Sequence, residues 1–407
     1  MGQDIKRSET RIKGFSDSEM EFQLLRQLGS ASYGGSSIGE CFYTTNQIED
    51  GIPESWVSEF SILAEKQESD AQNRLKNSHT LSAKGQFLKA SNSYRAAEYY
   101  TNFDDPKHQE LGLKAKNCFL EAMKCSDHYF ESISINYKNI KLPCYFMSPD
   151  NNKKKRKTLL VVSGFDGTTE EEFLQRGYPA LERGYNVFLF AGPGQMDTLR
   201  FYPETYFEPD FENPVKKILD YCSNRPEIDM ERLGLLGLSF GGYFALRAAS
   251  REPRIRALIL NSPILNLHDY LAAFTGFDPV YMPDEDNFSL EDIPHIPGEV
   301  MSERDKIMSA NLMGRFGQQN FKDTFIYLNE FKVGDEIKNI NIPCLALVGS
   351  GEGGEPKKQF DEFCGQVPGT VTTYTFTQDE GADGHCQVGN LSYSAAVYMD
   401  WLDECFE

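Results

Sequence analysis

Residues 233–242 read Leu-Gly-Leu-Leu-Gly-Leu-Ser-Phe-Gly-Gly and contain the pattern Gly237-x-Ser239-x-Gly241. The apolar residues before Ser239 indicate a buried strand, and the segment from Tyr243 onward has the spacing of a helix. A serine between the two lies on a tight strand-to-helix turn, and the flanking glycines give that turn the room it needs. The pattern therefore predicts a nucleophilic serine hydroxyl at the N-terminus of a helix.

A nucleophilic serine needs a general base, and after such a turn the histidine is expected late in the chain. His385 lies in a loop of small residues, between a predicted strand (372–376) and the last predicted helix (391–406). The remaining histidines precede Ser239, follow it too closely or lie in a proline-flanked segment: His79, His108, His128, His268 and His295. His385 is therefore the predicted base.

The base in turn needs a carboxylate that orients it, expected at the carboxyl end of the apolar strand 343–349. An aspartate is usual there, whereas Glu352 occupies the position three residues beyond Gly349 in this chain. Glu352 is the predicted acid and Glu355 is the alternative. Asp383 or Asp379, which lie in the same loop as His385, could also reach the imidazole.

Two backbone N–H groups are predicted to stabilise an oxyanion. One belongs to Phe240, the residue after the nucleophile. The other belongs to Phe165, in the loop that follows the predicted strand 158–162. Gly164 allows that backbone to approach the substrate closely.

Three motifs occur in the order found in one branch of a known family. They are Ser163-Gly-Phe-Asp-Gly-Thr-Thr-Glu-Glu171, Phe190-Ala-Gly-Pro-Gly-Gln195 and Gly237-Leu-Ser-Phe-Gly-Gly-Tyr243. The chain resembles the α/β-hydrolases with a helical N-terminal domain, among them 2,6-dihydroxypseudooxynicotine hydrolase, FrsA-like esterases and fungal polyketide-shortening pigment hydrolases. The segment 82–100 is similar to the helical hairpin that precedes the hydrolase core there. Two residues depart from the family pattern: Ala191 replaces an acidic residue, and Glu352 replaces the usual aspartate.

The resemblance implies an α/β fold: a doubly wound, mostly parallel sheet with an N-terminal helical domain and a helical lid insertion. We expect a flexible arm (1–50), a helical domain (51–130) and a hydrolase core (131–407). The insertion (264–335) is expected to cover Ser239 together with the helical domain. An alternative is that the insertion stabilises a dimer.

Composition narrows the classes of partner. The chain has 407 residues, with 41 Lys and Arg against 61 Asp and Glu, a net charge of −20. This acidic balance argues against nucleic acid and anionic membranes as partners. No His or Cys spacing matches a ligand set, so no metal and no cofactor is predicted. The predicted partner is a small-molecule carbonyl substrate, and a homodimer is left open.

The segment 1–6 lacks the apolar stretch of a secretory signal, and Lys6 stands where a myristoylation signal requires Ser or Thr. The nine cysteines include no Cys-x-x-Cys pair and suit a reducing compartment. A cytoplasmic protein is therefore expected.

Together these features predict a serine hydrolase with a Ser239–Glu352–His385 triad. Known members of the resembling branch hydrolyse carbon–carbon bonds next to ketones, or esters. The favoured reaction is cleavage of a carbon–carbon bond in a small aromatic or polyketide-like substrate of secondary metabolism. One alternative is a carboxylesterase or thioesterase. A second is an acyltransferase or cyclase that uses the same acyl-enzyme. A third is a non-catalytic protein that keeps the fold for binding.

Overall fold

One eight-stranded sheet lies at the centre of the computed structural model, which describes residues 14–407. Its strands are β1 (Tyr129–Tyr137), β2 (Ile140–Ser148), β3 (Arg156–Val162), β4 (Asn186–Phe190), β5 (Ile228–Leu238), β6 (Ala257–Asn261), β7 (Cys344–Gly349) and β8 (Val371–Phe376). Their order across the sheet is β1-β2-β4-β3-β5-β6-β7-β8. β1 and β2 pair antiparallel, as do β2 and β4, and the strands from β4 to β8 run parallel to one another.

The helices number from α1 to α15 within residues 14–407. They are α1 (Ser18–Gly29), α2 (Ile38–Thr45), α3 (Pro53–Lys76), α4 (Thr80–Tyr99), α5 (Pro106–Lys124), α6 (Thr169–Glu172), α7 (Tyr178–Glu182), α8 (Met196–Leu199), α9 (Glu212–Ser223), α10 (Phe240–Ala249), α11 (Leu267–Thr275), α12 (Glu303–Arg315), α13 (Phe321–Leu328), α14 (Gly354–Gln366) and α15 (Leu391–Cys405). None of the helices in this part of the chain has the length and apolar character needed to cross a bilayer.

Helices cover both faces of the sheet. Alternate residues of each parallel strand point to opposite faces, and both sets are buried. Leu159 and Val161 of β3 face a core that includes α3–α5 and α15. Leu160 and Val162 face a second core that includes α9, α10 and α13. The predicted α/β class with a doubly wound, mostly parallel sheet is confirmed by this arrangement.

The predicted flexible arm is wrong for the part of it that the structure describes. Residues 18–45 form α1, a short 3-10 turn and α2, whereas residues 1–13 lie outside the described residues. Asp17 caps α1 by accepting hydrogen bonds from the N–H groups of Glu19 and Met20. Met20 and Leu24, one helical turn apart, are buried in the core. Because this region is rich in Gly and Ser, its composition did not indicate the short amphipathic helix α1.

The helical region, residues 18–124 with helices α1–α5, is joined to the sheet by a buried ionic cluster. Arg200 bonds to Glu98 of α4, with 2.9 Å between Nη2 and Oε2. It also bonds to Glu170 at 2.9 Å and lies 3.4 Å from Asp197. The Arg200 and Glu98 side chains are fully buried. Since an unpaired charge at such a site is strongly disfavoured, this cluster holds the two parts together.

The insertion, residues 264–335, packs on the helical region through α12. Asn311 accepts a hydrogen bond from the N–H of Phe103 at 2.8 Å and donates one to the carbonyl of Thr101 at 3.3 Å. A Cβ at Gly314 would lie 2.1 Å from the Phe103 ring. The absence of a side chain at Gly314 therefore lets α12 lie directly against the helical region.

We expect Arg200→Gln to lower the free energy of unfolding by about 3–5 kcal/mol, because it leaves buried carboxylates without their cation. The measurement is urea denaturation followed by circular dichroism. Arg183→Gln is the matched control: Arg183 pairs with Asp400 and Asp403 at the surface, and its loss is expected to change stability by less than about 1 kcal/mol. Equal losses in both variants would contradict a special role for the buried cluster.

Candidate active site

Ser239 lies on the sharp turn between β5 and α10. Its φ and ψ are 56° and −127°, a conformation that side-chain-bearing residues rarely adopt. Its N–H donates to the carbonyl of Asn261 at 2.8 Å. A Cβ at Gly237 would lie 2.0 Å from the Gly241 carbonyl oxygen, and one at Gly241 would lie 2.4 Å from that of Val162. Both flanking glycines are therefore sterically required by this turn.

Glu352 and His385 are joined by a short hydrogen bond. The distance between Glu352 Oε2 and His385 Nδ1 is 2.6 Å. The other carboxylate oxygen, Oε1, accepts from the N–H of Gly349 at 2.7 Å. The Glu352 side chain is only 2% exposed, and His385 is partly buried. With both of its oxygens engaged, the carboxylate is fixed in position and holds Nδ1 of the imidazole, which leaves Nε2 as the nitrogen available for proton transfer.

The other acidic residues considered from the sequence are not brought to the imidazole. Glu355 bonds to Lys358 and Gln359 instead. Asp379 is exposed, and no hydrogen bond or ion pair within residues 14–407 joins Asp379 or Asp383 to His385. The chain turns back directly after β7, where the N–H of Glu352 donates to the carbonyl of Gly349. This turn directs Glu352, and not Glu355, toward His385.

The pKa of His385 lies well above its usual range. Burial of the ring opposes protonation, but the neighbouring Cys386, Tyr270 and Glu352 groups favour it and outweigh the burial. A raised pKa keeps the imidazole protonated to higher pH than a free histidine. The neutral form, which can accept a proton, therefore dominates only above that raised pKa.

The loop between β3 and α6, residues 163–168, lies directly beside the serine turn. A Cβ at Gly164 would be 2.7 Å from the Cβ of Ser239 and 2.8 Å from the backbone nitrogen of Phe240. The rings of Phe165 and Phe240 meet edge to face with centroids 5.3 Å apart. No hydrogen bond within the described residues occupies the N–H of Phe165 or of Phe240. The structure thus packs the loop that contains Phe165 directly against the turn that contains Ser239 and Phe240.

Gln195, which lies between β4 and α8, holds this β3–α6 loop in place. Its Nε2 donates to the carbonyls of Ser163 at 2.7 Å and Gly164 at 3.2 Å. Its Oε1 accepts from the N–H of Gly192 at 2.6 Å. Gln195 ends the second motif of the sequence, and these bonds give that motif a physical role.

Arg26 of α1 holds the same loop from the helical region. Its Nη1 lies 2.6 Å from Asp166 Oδ2, and its Nε lies 2.7 Å from Glu171 Oε1. This contact could not be predicted from the sequence, because Arg26 and its partners are about 140 residues apart. Charge-assisted hydrogen bonds of this kind fix geometry well.

Tyr270 of α11 is a second residue that the sequence did not single out. Its ring meets Phe240 edge to face at 6.4 Å and is almost fully buried. Burial, opposed by His385 and supported by Glu352 and Cys386, raises the pKa of Tyr270 to about 12. A phenol from the insertion therefore lies within electrostatic range of His385 and stays protonated at neutral pH.

Acidic, histidine and cysteine side chains within residues 14–407 form no group of three or more that could hold a metal ion. The groups predicted to act at this site are the Ser239 hydroxyl, the His385 imidazole, the Glu352 carboxylate and backbone N–H groups, and within residues 14–407 the hydrogen bonds join His385 to Glu352 but not to Ser239. Such a set suits proton transfer and the stabilisation of an oxyanion.

Comparison with known proteins gives close sequence relatives. The chain is 33% identical over 287 residues to alpha/beta hydrolase xenA of Xenoacremonium sinensis, covering 66% of this chain and 67% of that protein. It is 35% identical over 257 residues to 20-hydroxy-prefusarin hydrolase FUS2 of Gibberella moniliformis, covering 61% of each. The alignments thus span about two thirds of the relatives' own lengths or somewhat less. No protein-family model matches the chain.

Solved structures agree with this result at the level of the fold. The crystal structure of 2,6-dihydroxy-pseudo-oxynicotine hydrolase superposes with a TM-score of 0.72 at 20% identity, over 92% of this chain and 94% of that one. AbyA5 superposes with a TM-score of 0.66 at 16% identity, over 96% and 94%. The chain belongs to the α/β-hydrolase family and is a hydrolase.

We expect Glu352→Gln to lower the pKa of His385, because the substitution removes a carboxylate that favours the protonated ring. The measurement is an NMR titration of the His385 Cε1–H signal, assigned by its loss in His385→Gln. Glu355→Gln is the matched control and should leave the titration unchanged. A shift caused by Glu355→Gln alone would reverse the assignment of the acid.

Proposed function

We propose that this chain is a serine hydrolase that cleaves a carbon–carbon bond next to a ketone in a small molecule. The observation that carries the proposal is the combination of the strained Ser239 turn with the 2.6 Å contact between Glu352 and His385. In this proposal, His385 Nε2 takes the proton from Ser239 as its Oγ attacks the ketone carbon. Glu352 holds the ring and stabilises the imidazolium that forms.

The attack places a negative charge on the ketone oxygen, and the N–H groups of Phe165 and Phe240 stabilise it. When this tetrahedral intermediate collapses, the carbon–carbon bond breaks and its electron pair leaves with the departing carbon as an enolate. That carbon must then receive a proton, either from the imidazolium of His385 or from a second donor that the imidazolium reprotonates, so that His385 becomes neutral again. Neutral His385 next takes a proton from water as the water attacks the acyl-serine. The second tetrahedral intermediate collapses, the proton returns to Ser239 Oγ, and a carboxylic acid is released.

Tyr270 supports carbon–carbon cleavage over ester cleavage. An ester's alkoxide leaving group can take its proton from the imidazolium alone, whereas a departing carbon benefits from a second donor. A phenol with a pKa of about 12, buried against Phe240, is a protonated donor within electrostatic range of His385.

The relatives' names support a small-molecule substrate. FUS2 is a 20-hydroxy-prefusarin hydrolase by name.

The insertion (264–335) serves as a lid in this proposal, closing with the helical domain (51–130) over a site at the edge of the hydrolase core (131–407). The contacts of Asn311 and Gly314 with residues 101–103 support such a closure. Ester hydrolysis by the same acyl-enzyme remains the second candidate, which the substrate panel below separates.

We expect a fluorophosphonate probe to label the wild-type protein once, and Ser239→Ala to abolish the labelling, because only an activated serine reacts with this electrophile. Intact mass spectrometry is the measurement. Gly39→Ala, at an open position of α2, is the control for substitution by alanine. A wild-type protein that stays unlabelled would contradict the proposed hydrolase chemistry.

We expect Tyr270→Phe, which keeps the ring and removes the hydroxyl, to lower kcat for an aryl β-diketone by about 10²-fold. The kcat for the corresponding aryl ester should fall far less, because an alkoxide needs no second donor. Steady-state kinetics on both substrates, with Tyr281→Phe as an exposed control in the same insertion, make the comparison. An equal loss for diketone and ester would show that Tyr270 only supports packing.

A further inference from the structure

Asn261 is the last residue of β6 and lies at the carboxyl edge of the sheet, between the two strands that lead to Ser239 and Glu352. It pairs with Leu238 of β5, the residue before Ser239, and with Leu347 of β7. Its side chain is buried, with 2% exposure. A polar side chain buried at this edge is close to the elements that carry the candidate catalytic residues.

The main chain of Asn261 contacts the serine turn and the His385 loop at one atom. Its carbonyl oxygen accepts a hydrogen bond from the N–H of Ser239 at 2.8 Å. The thiol sulfur of Cys386, the residue after His385, lies 3.8 Å from the same oxygen and donates to it. The end of β6 is therefore in contact with the residues that carry both the nucleophile and the base.

The side chain of Asn261 makes a stronger contact with the His385 loop. Its Nδ2 donates to Oε1 of Gln387 at 2.7 Å, and the Gln387 side chain is completely buried. Asn261 Oδ1 and Gln387 Nε2 are buried without a hydrogen-bond partner in the part of the chain that the structure describes. Each side-chain amide thus makes its one hydrogen bond there to the other, and removing either amide leaves the remaining one with none.

The loop after His385 needs such a contact because its backbone is strained. Cys386 and Gln387 have φ values of 54° and 51°, in the left-handed region that residues with a side chain rarely adopt. Two such residues in succession persist only where the surrounding structure enforces their conformation. Arg176 supplies one contact, since its Nη2 donates to the Cys386 carbonyl at 2.8 Å. The bond between Asn261 and Gln387 ties the same two-residue segment to the sheet.

We propose that Asn261 is a positioning residue that holds the His385 loop in place relative to the Ser239 turn. Its carbonyl fixes the turn, and its amide fixes the residue two positions beyond the base. This inference rests on the proposed function, because it concerns how the nucleophile and the base of that reaction are kept in place. Proton transfer depends steeply on geometry, so a loop that is held less firmly slows the attack by serine.

The first test is the second-order rate constant for labelling of Ser239 by a fluorophosphonate, followed by intact mass on protein shown to be folded by circular dichroism. Asn261→Leu keeps the approximate size of the side chain and removes its amide. It should lower the rate constant by about 10- to 100-fold. Gln387→Met removes the same bond from the loop side and should give a similar loss, and it is the second variant should Asn261→Leu not fold.

A double-mutant cycle separates the hydrogen bond from simple packing. The protein with both Asn261→Leu and Gln387→Met should lose little more than the weaker of the two single variants, because both substitutions remove one bond. Gln387→Glu keeps an oxygen that accepts from Asn261 Nδ2 and should retain most of the wild-type rate. Additive losses, or a Gln387→Glu protein as slow as Gln387→Met, would show that the two residues only fill space.

Hydrogen exchange of the segment 384–390, followed by mass spectrometry, tests the contact without catalysis. Exchange should be about 10-fold faster in Asn261→Leu than in the wild type, because the segment has lost a buried hydrogen bond. Leu63→Ala is the matched control: Leu63 is buried in α3, which packs on α2 and α4, and its truncation destabilises the protein elsewhere. It should change neither this exchange nor the labelling rate.

Wild-type labelling rates in the folded Asn261→Leu and Gln387→Met proteins, or unchanged exchange in the segment, would overturn the positioning role. A failure of the proposed function has a different signature, which is a wild-type protein that the probe does not label. The exchange measurement still tests the contact of Asn261 with the His385 loop in that case. The two proposals can therefore fail separately.

Discussion

The rest of this structure depends on the ion pairs that neutralise the carboxylates following β3. Glu170 and Glu171 are buried and Asp166 is partly exposed. Their cations come from distant parts of the chain: Arg26 from α1 and Arg200 from the segment after α8. Because an unpaired buried charge is so unfavourable, the helical region and the sheet must fold together. The same ion pairs fix the β3–α6 loop beside Ser239.

This dependence links stability to the geometry of the candidate site. The loop is held from one side by Gln195 and from the other by Arg26, so the N–H of Phe165 has little freedom. Preorganised donors are effective because they need no rearrangement when charge develops on the substrate. The arrangement also explains why α1, which contributes no residue of its own to the serine turn, is well packed.

The insertion adds a different kind of contribution. Its helix α12 lies against the helical region at Gly314 and puts Arg315 over the ring of Phe165, while α11 brings Tyr270 against Phe240. The Phe165 ring thus lies between Arg315 and the β3–α6 loop, and the Phe240 ring lies between Tyr270 and the serine turn. Tyr270 and Arg315 are buried, and burial strengthens the polar contacts that such side chains make.

The sequence alone was sufficient for the features that depend on local sterics or on strand order. The turn at Ser239 requires glycines at fixed spacing, so the motif is visible without a structure. The rule that functional side chains follow the carboxyl ends of parallel strands led to Glu352 and His385, which the structure brings within 2.6 Å of each other. Only the tertiary structure decided that residues 18–45 are helical and packed, and that Arg26, Tyr270 and Arg315 lie around the site. Each of these residues acts through partners far away in the chain, and a pairing of that kind leaves no periodicity or spacing in the sequence from which it could be predicted.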